Sequence, residues 1–331
     1  MLYLLKFKPI LKTVVWGGSM ILPFKGLDRP ADGSGDHIGE SWELSGVKGN
    51  ESVVADGPLA GRTITELART YGAQLLGEKV FAATGEEFPL LIKFIDAQGD
   101  LSVQVHPDDA LAARRHNGSK GKTEMWYVVD AAPGAHLLSG LSAPLDPDSY
   151  VRRVEDGSIM DVLQRYEVQP GDVFFLPAGR IHAIGAGCFI AEIQQTSDIT
   201  YRIYDYNRPG LDGKPRQLHT ELAKDAIDYR VLPDYRTHYE ETPNRENEVV
   251  KCPYFTTSLL QLDQALTVPV KARDSFLVVL CTGGEGSVSI EGEPDSKVSL
   301  HRGETLLVPA CAENVTFAPE ASGMTLLTSH L

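Results

Sequence analysis

Cysteine is scarce in this chain, and what there is does not pair. Cys188, Cys252, Cys281 and Cys311 are the four cysteines among 331 residues, and none stands in a Cys-x-x-Cys spacing. That pattern excludes a disulfide scaffold and a thiolate zinc site. The four read as reduced, mostly buried thiols of a cytoplasmic protein. Positive charge is the second shortage. Lys and Arg number 31 against 45 Asp and Glu, a formal net charge of −14. Such a balance argues against nucleic acid and against an anionic membrane surface as partners. Long apolar runs are also missing, and no stretch is long enough to cross a bilayer. The apolar start Met1–Leu5 is broken at once by Lys6, Lys8 and Lys12, with no small-residue cleavage site behind it. It reads as an edge strand, not a signal peptide.

What the chain does hold is short apolar runs punctuated by Gly and Pro. Phe88–Ile95, Met125–Val129, Asp172–Leu176, Phe189–Ile193 and Ser275–Leu280 recur at the spacing of sandwiches and barrels, so a mainly β fold is expected. Helical periodicity interrupts the rhythm at about 63–79, opening on a Thr-x-x-Glu start, at 146–166 and at 219–229. An internal repeat sets the architecture. Pro170–His182 aligns with Arg302–Asn314, and Glu124–Val129 aligns with Phe276–Cys281. Two copies of one small β-barrel in tandem are predicted, 1–240 with the helical insertions and 241–331 without them. The polar, Pro-bearing stretch after Pro233 lies at the boundary.

Chemistry-bearing residues gather in the first copy. Gln104 and His106 stand two apart, so on a strand their side chains share a face. Glu124 follows, and His182 closes the glycine turn, apolar run and Pro-x-Gly turn of Gly171–His182. Two imidazoles, a carboxylate and an amide oxygen converging from separate strands would make a divalent-metal site. A lone histidine is more often a core or surface residue, and the remaining histidines keep that reading. Gln104 is the weakest member, because amides are poor zinc ligands beside imidazole and carboxylate. Chemistry alone allows zinc, manganese, cobalt or iron. In the second copy Phe276 and Asn314 stand where Glu124 and His182 do, so that barrel lacks the ligands. Lys122, two residues before Glu124, should point into the same cavity, although a solvated lysine is the plainer reading.

The Gly-x5-Pro-x-Gly-x2-His pattern of Gly171–His182 resembles a motif of the cupin superfamily. The strings Leu101–Pro107, Gly121–Trp126 and Ser197–Arg208 resemble, more narrowly, the type I mannose-6-phosphate isomerases in their short bacterial form. The likeness runs from Lys12–Gly18 to about Tyr229. One departure is Ala183–Gly187 after the histidine, where many cupins carry an asparagine; no ligand is affected. The resemblance implies two jelly-roll-like cupin barrels and one zinc ion per chain, held by Gln104, His106, Glu124 and His182. It implies an aldose–ketose isomerase that interconverts mannose 6-phosphate and fructose 6-phosphate through an enediol(ate), feeding mannose metabolism. It points Arg202 at the reacting sugar, makes Glu192 and Lys122 catalytic, and lines the pocket with Ser102, Lys93 and Arg208. Arginine's planar fork suits phosphate and enediolate oxygens. Glu192, buried on a barrel strand, is expected to have a raised pKa and to be the first choice for the base, with a hydroxide on the metal as its competitor. A structural glutamate is nearly as good a reading. The expected partner is a phosphorylated hexose, and the expected assembly a monomer or weak homodimer. Two rivals remain: a metal-dependent cupin oxygenase, and a non-catalytic sugar-phosphate-binding cupin.

Overall fold

The computed structural model describes residues 2–30, 33, 35–293 and 296–331. Glycines in the left-handed region make its tight turns possible. Gly171 (φ 92°) and Gly179 (φ 90°) bracket the strand Val173–Leu176, conformations that a side chain would strain. The strand therefore folds back along Glu124–Ala131, with Leu176 opposite Glu124.

Three antiparallel sheets result. A seven-stranded sheet runs in the order Arg236–Thr237, Val173–Leu176, Glu124–Ala131, Cys188–Gln195, Leu90–Ala97, Ile10–Gly18, Ile38–Ser45. A five-stranded sheet faces it, in the order Tyr201–Tyr204, Val103–Val105, His182–Ile184, His136–Leu141, Leu163–Glu167. Trp126, Phe174 and Ile190 from the first sheet meet Leu137 and Ile184 from the second in a shared core. The third sheet has nine strands and closes around its own apolar filling, which includes Leu277, Val279, Leu306, Val315 and Phe317. The molecule is thus mainly β and built of two barrels.

Alternation along the seven-stranded sheet decides which residues reach the first barrel's interior. On Cys188–Gln195, Ile190 and Glu192 point inward, while Phe189, Ala191 and Ile193 join the core shared with the second barrel. Leu90–Ala97 behaves likewise, with Lys93 and Ile95 inward and Ile92 and Phe94 outward. Both strands are buried along their whole length.

Several expectations are corrected. The N-terminal strand runs Leu5–Lys8, with Met1 outside the described residues, and is no edge: it pairs with Thr305–Val308 on one side and Val53–Val54 on the other. The N terminus thus crosses the expected division at 240/241 and completes the C-terminal sheet. The helix expected over 146–166 stops at Glu155, because Gly157 turns left-handed (φ 78°); a short 3₁₀ turn, Ile159–Val162, and a strand, Leu163–Glu167, follow. The helix at 219–229 contracts to Thr220–Lys224. The first insertion keeps its predicted start, a capping box between Thr63 and Glu66, but Gly72 and Gly77 break it into Ile64–Tyr71, Ala73–Leu76 and Glu78–Thr84. The repeat also slips by one residue. Val308, the counterpart of Leu176, lies opposite Leu277 and not Phe276. A one-residue slip reverses the faces of a strand, so Leu277 fills the second barrel's interior where Glu124 stands in the first, and Phe276 packs outside against Phe88.

A buried ion pair fastens the two barrels. Lys25 Nζ lies 2.7 Å from Glu43 Oε2 and also donates to the Gly303 carbonyl of the second barrel. Glu43→Ala leaves that ammonium uncompensated and is expected to lower stability by about 3 kcal/mol. The measurement is the urea midpoint at unchanged m-value. Replacing both partners with apolar residues, Lys25→Met with Glu43→Leu, should restore most of the loss.

Candidate metal centre and its cavity

His106, Glu124 and His182 converge as the spacing suggests. Their ligand atoms all lie within 4.8 Å of one another, and all three residues are buried. Glu124 Oε1 is 3.2 Å from His182 Nε2, and Oε2 is 3.5 Å from His106 Nε2. Those separations match the edge of a tetrahedron with metal–ligand bonds of about 2.1 Å, roughly 3.4 Å. Each imidazole is fixed by its other nitrogen. His106 Nδ1 donates to the Ile199 carbonyl at 2.9 Å and His182 Nδ1 to the Arg180 carbonyl at 2.8 Å. That tautomer leaves both Nε2 lone pairs aimed at the carboxylate, the arrangement metal-binding histidines use.

The two histidines stay neutral. Burial, with the nearby Lys122 charge, pushes His106 well below its usual range and His182 down to about 3. Burial, and then the Glu192 charge, raises Glu124. Glu124 Oε1 is buried without a hydrogen-bond partner, and Oε2 is paired with the Lys122 ammonium 2.7 Å away. A buried carboxylate between two neutral imidazoles fits a divalent cation. Gln104 closes a further side, its amide nitrogen 3.3 Å from His182 Nε2. A half-turn of the amide would bring its oxygen to that place.

Beside this group lies a cavity of about 270 Å³. Ser102, Lys93, Lys122, Glu192 and Arg202, all anticipated from the sequence, line it, as does Gln104. Arg208 is not among the lining residues. It shares the Asp205 carboxylate with Arg216, which does line the cavity. Burial works to raise the Asp205 carboxyl, but the two arginines hold it below the usual range. Arg216 carried no motif; the isolated pairing of Pro209 with Pro215 folds the chain back and returns it to the site. Glu40, Trp42, Asp198 and Thr200 were also missed. Glu40 and Trp42 could have been found as an alternating pair on Ile38–Ser45, joined by a Trp42 Nε1 to Glu40 Oε2 hydrogen bond of 2.6 Å.

The expectation for Glu192 is reversed. Burial does act to raise its carboxyl, but Lys122, Lys93 and the Trp126 indole outweigh it and hold the group below its usual range. Lys93 Nζ is 3.2 Å away, Lys122 Nζ 3.9 Å, and Trp126 Nε1 donates to Oε2 at 2.8 Å. Oε1 has no hydrogen-bond partner. Lys93 in turn is held charged: burial opposes this, and Glu40 and Glu192 override it. Arg202 donates Nη1 to the Gln217 carbonyl at 3.0 Å, while its buried Nε has no partner. The wall carries Lys93, Lys122, Arg202 and Arg216 against Glu40, Glu192 and Asp198.

Fold and site together define a cupin-type protein whose first barrel carries a side-chain set able to hold a divalent cation. The comparisons narrow this class. The model of the type I phosphomannose isomerase catalytic domain matches residues 4–127. Mannose-6-phosphate isomerase ManA of Bacillus subtilis is 35% identical over 305 residues, 92% of each chain. The crystal structure of the mannose 6-phosphate isomerase from Bacillus subtilis superposes with a TM-score of 0.87 at 29% identity, covering 100% of both chains. A mannose 6-phosphate isomerase bound with zinc and yttrium shares the fold at 16% identity and a TM-score of 0.77. The chain belongs to the type I phosphomannose isomerases.

An ion held by this set must leave when one imidazole is removed. In His182→Ala, metal content measured by plasma emission should fall to background. Asn314→Ala, at the matching place of the apolar second barrel, should keep the wild-type content.

Proposed function

We propose that the chain is a zinc-dependent aldose–ketose isomerase that interconverts mannose 6-phosphate and fructose 6-phosphate in the cytoplasm. The observation that carries this reading is the buried Glu124 carboxylate between two tautomer-locked imidazoles, beside a cavity with four cationic side chains. The family membership supplies the substrate, and the zinc-bound relative of the same fold supports the metal. Gln104, His106, Glu124 and His182 would hold the ion. When bound, it supplies Lewis-acid polarisation of the sugar's carbonyl and hydroxyl oxygens.

The remaining work falls to this chain's own side chains. Isomerisation moves a proton between C2 and C1 through an enediol(ate), so a base must take it and return it. Glu192 reaches the cavity, and its Oε1 faces the two lysines there. Its flanking lysines make it a weak base when the cavity holds no anion. A dianionic sugar phosphate adds negative charge to the cavity, and that raises Glu192's basicity when the proton must be taken. Arg202, with a buried N–H unspent, stabilises charge developing on the enediolate oxygens. Ser102 and Arg216 take the phosphate end, and Arg208 sets Arg216 through their common Asp205. Local cations thereby overcome a global charge of −14.

Two tests follow from these roles. Chelation should abolish turnover of mannose 6-phosphate in a coupled assay, and stoichiometric zinc should restore it. Full activity in rigorously metal-free protein sinks the proposal. Arg202→Ala should lower kcat by about 100-fold with KM changed little, because its interaction strengthens in the transition state. A variant with wild-type kcat and only a lower melting temperature makes the arginine structural.

A further inference from the structure

The segment that carries Lys122 and Glu124 is coil until Glu124, yet all of Gly121–Glu124 is buried. Its backbone is held by side chains from elsewhere. Gly121 N–H donates to Asp109 Oδ1 at 2.7 Å, and Thr123 N–H donates to Gln195 Oε1 at 2.8 Å. Gln195 is itself tied to Asp109, its Nε2 donating to Oδ1 at 3.1 Å. Asp109 is therefore the post to which both ends of the Lys122 peptide are fastened. The approach is too close for any side chain at Gly121, whose added Cβ would lie 2.6 Å from Asp109 N.

The other oxygen of that carboxylate is held from the second barrel. Tyr254, in the turn between Asn247–Lys251 and Thr256–Leu262, donates its hydroxyl to Asp109 Oδ2 at 2.8 Å. We propose that Tyr254 is a positioning residue for the active site, by which the barrel without metal ligands fixes the Lys122–Glu124 segment of the other. The proposal rests on the functional reading above and extends it across the barrel interface. Without the hydroxyl, Asp109 keeps two donors on one oxygen and none on the other. Its carboxylate can then turn and slacken both backbone bonds together. Two backbone bonds, Lys122 N–H to the Pro107 carbonyl and Gln195 N–H to the Thr123 carbonyl, each 3.1 Å, also hold the segment, so the lost hydroxyl shifts Lys122 without releasing it. The ring of Tyr254 is only half buried, beside a small cavity of about 210 Å³ at the junction, so removing the hydroxyl leaves the apolar packing between the barrels in place.

The experiment compares wild type with Tyr254→Phe in three measurements. Amide hydrogen exchange, followed by mass spectrometry on the metal-free protein, should show faster exchange at Gly121 and Thr123 and unchanged protection in the inter-barrel core. Steady-state kinetics of the zinc-loaded enzyme should show kcat reduced about tenfold, the scale at which displaced supporting groups act, with KM changed less. The thermal midpoint should stay within about 4 °C of wild type. Asp109→Asn combined with Tyr254→Phe should lose no more than the larger single loss, since both act through one carboxylate. Unchanged exchange at Gly121 and Thr123, a kcat loss smaller than about threefold, or multiplicative losses in the double variant each overturn the proposal. Absence of turnover in the wild type removes the functional reading instead, and the exchange comparison, which needs no substrate, then decides the clamp alone.

Discussion

A sheet buried on both faces cannot choose freely which residues it shows to either side. Every feature of this molecule follows from how the seven-stranded sheet resolves that constraint. Its strict alternation sends Glu40, Trp42, Lys93 and Glu192 to the cavity and Ile92, Phe94, Ala191 and Ile193 to the second barrel. The charged face is tolerable because its charges are mutual: Glu192 stands between Lys93 and Lys122, and Glu40 faces Lys93. The apolar face is tolerable because a whole second barrel covers it. A one-residue slip of Leu90–Ala97 would put Lys93 into the inter-barrel core.

Most of the cavity's cations have carboxylate partners: Lys93 and Lys122 share Glu192, and Arg216 meets Asp205. Removing one partner of a buried pair leaves the other exposed to the full penalty of its surroundings. Arg216 and Arg208 divide Asp205, and Lys122 divides its charge between Glu124 and Glu192. Such a network holds each group in one place before a substrate arrives, which is what preorganisation means at atomic scale. Glu124 Oε1 and Arg202 Nε are the polar atoms the network leaves without a hydrogen-bond partner. They mark where an ion and an anionic sugar would complete it.

The candidate ligands were legible because turn chemistry and strand alternation are local. Gly171, Pro177 and Gly179 announce the turns that bound Val173–Leu176; the strands on either side do not fold back on each other as the motif suggests, because His182 opens a strand of the other sheet while Glu124 lies opposite Leu176. Arg216 was invisible because only the return of the chain after Pro209 brings it to Asp205. Glu192 was found, but its ionisation was misjudged: burial is readable from an apolar strand, and the two lysines that outweigh it are a tertiary fact. The stripe of Ile159, Val162 and Leu163 fits a helix as well as it fits a turn and a strand. Tertiary pairing of Leu163–Glu167 with His136–Leu141 decided between them. The repeat was visible, and its register was not, since apolar residues fill both faces around Phe276 and Leu277.

The strand Leu5–Lys8 has a consequence for how such a chain is born. Lys6 meets Glu304 298 residues further on, so this strand leaves a ribosome long before that partner. At ordinary rates of synthesis the wait is roughly 15 to 60 s. Val53–Val54 can pair with Phe7 and Lys8 early, but the edge at Leu5 and Lys6 that Thr305–Val308 later covers stays open throughout, the kind of edge that seeds aggregation. Lys6 and Lys8, the charges that interrupt the apolar start, are placed to keep that waiting strand apart from its neighbours on other nascent chains.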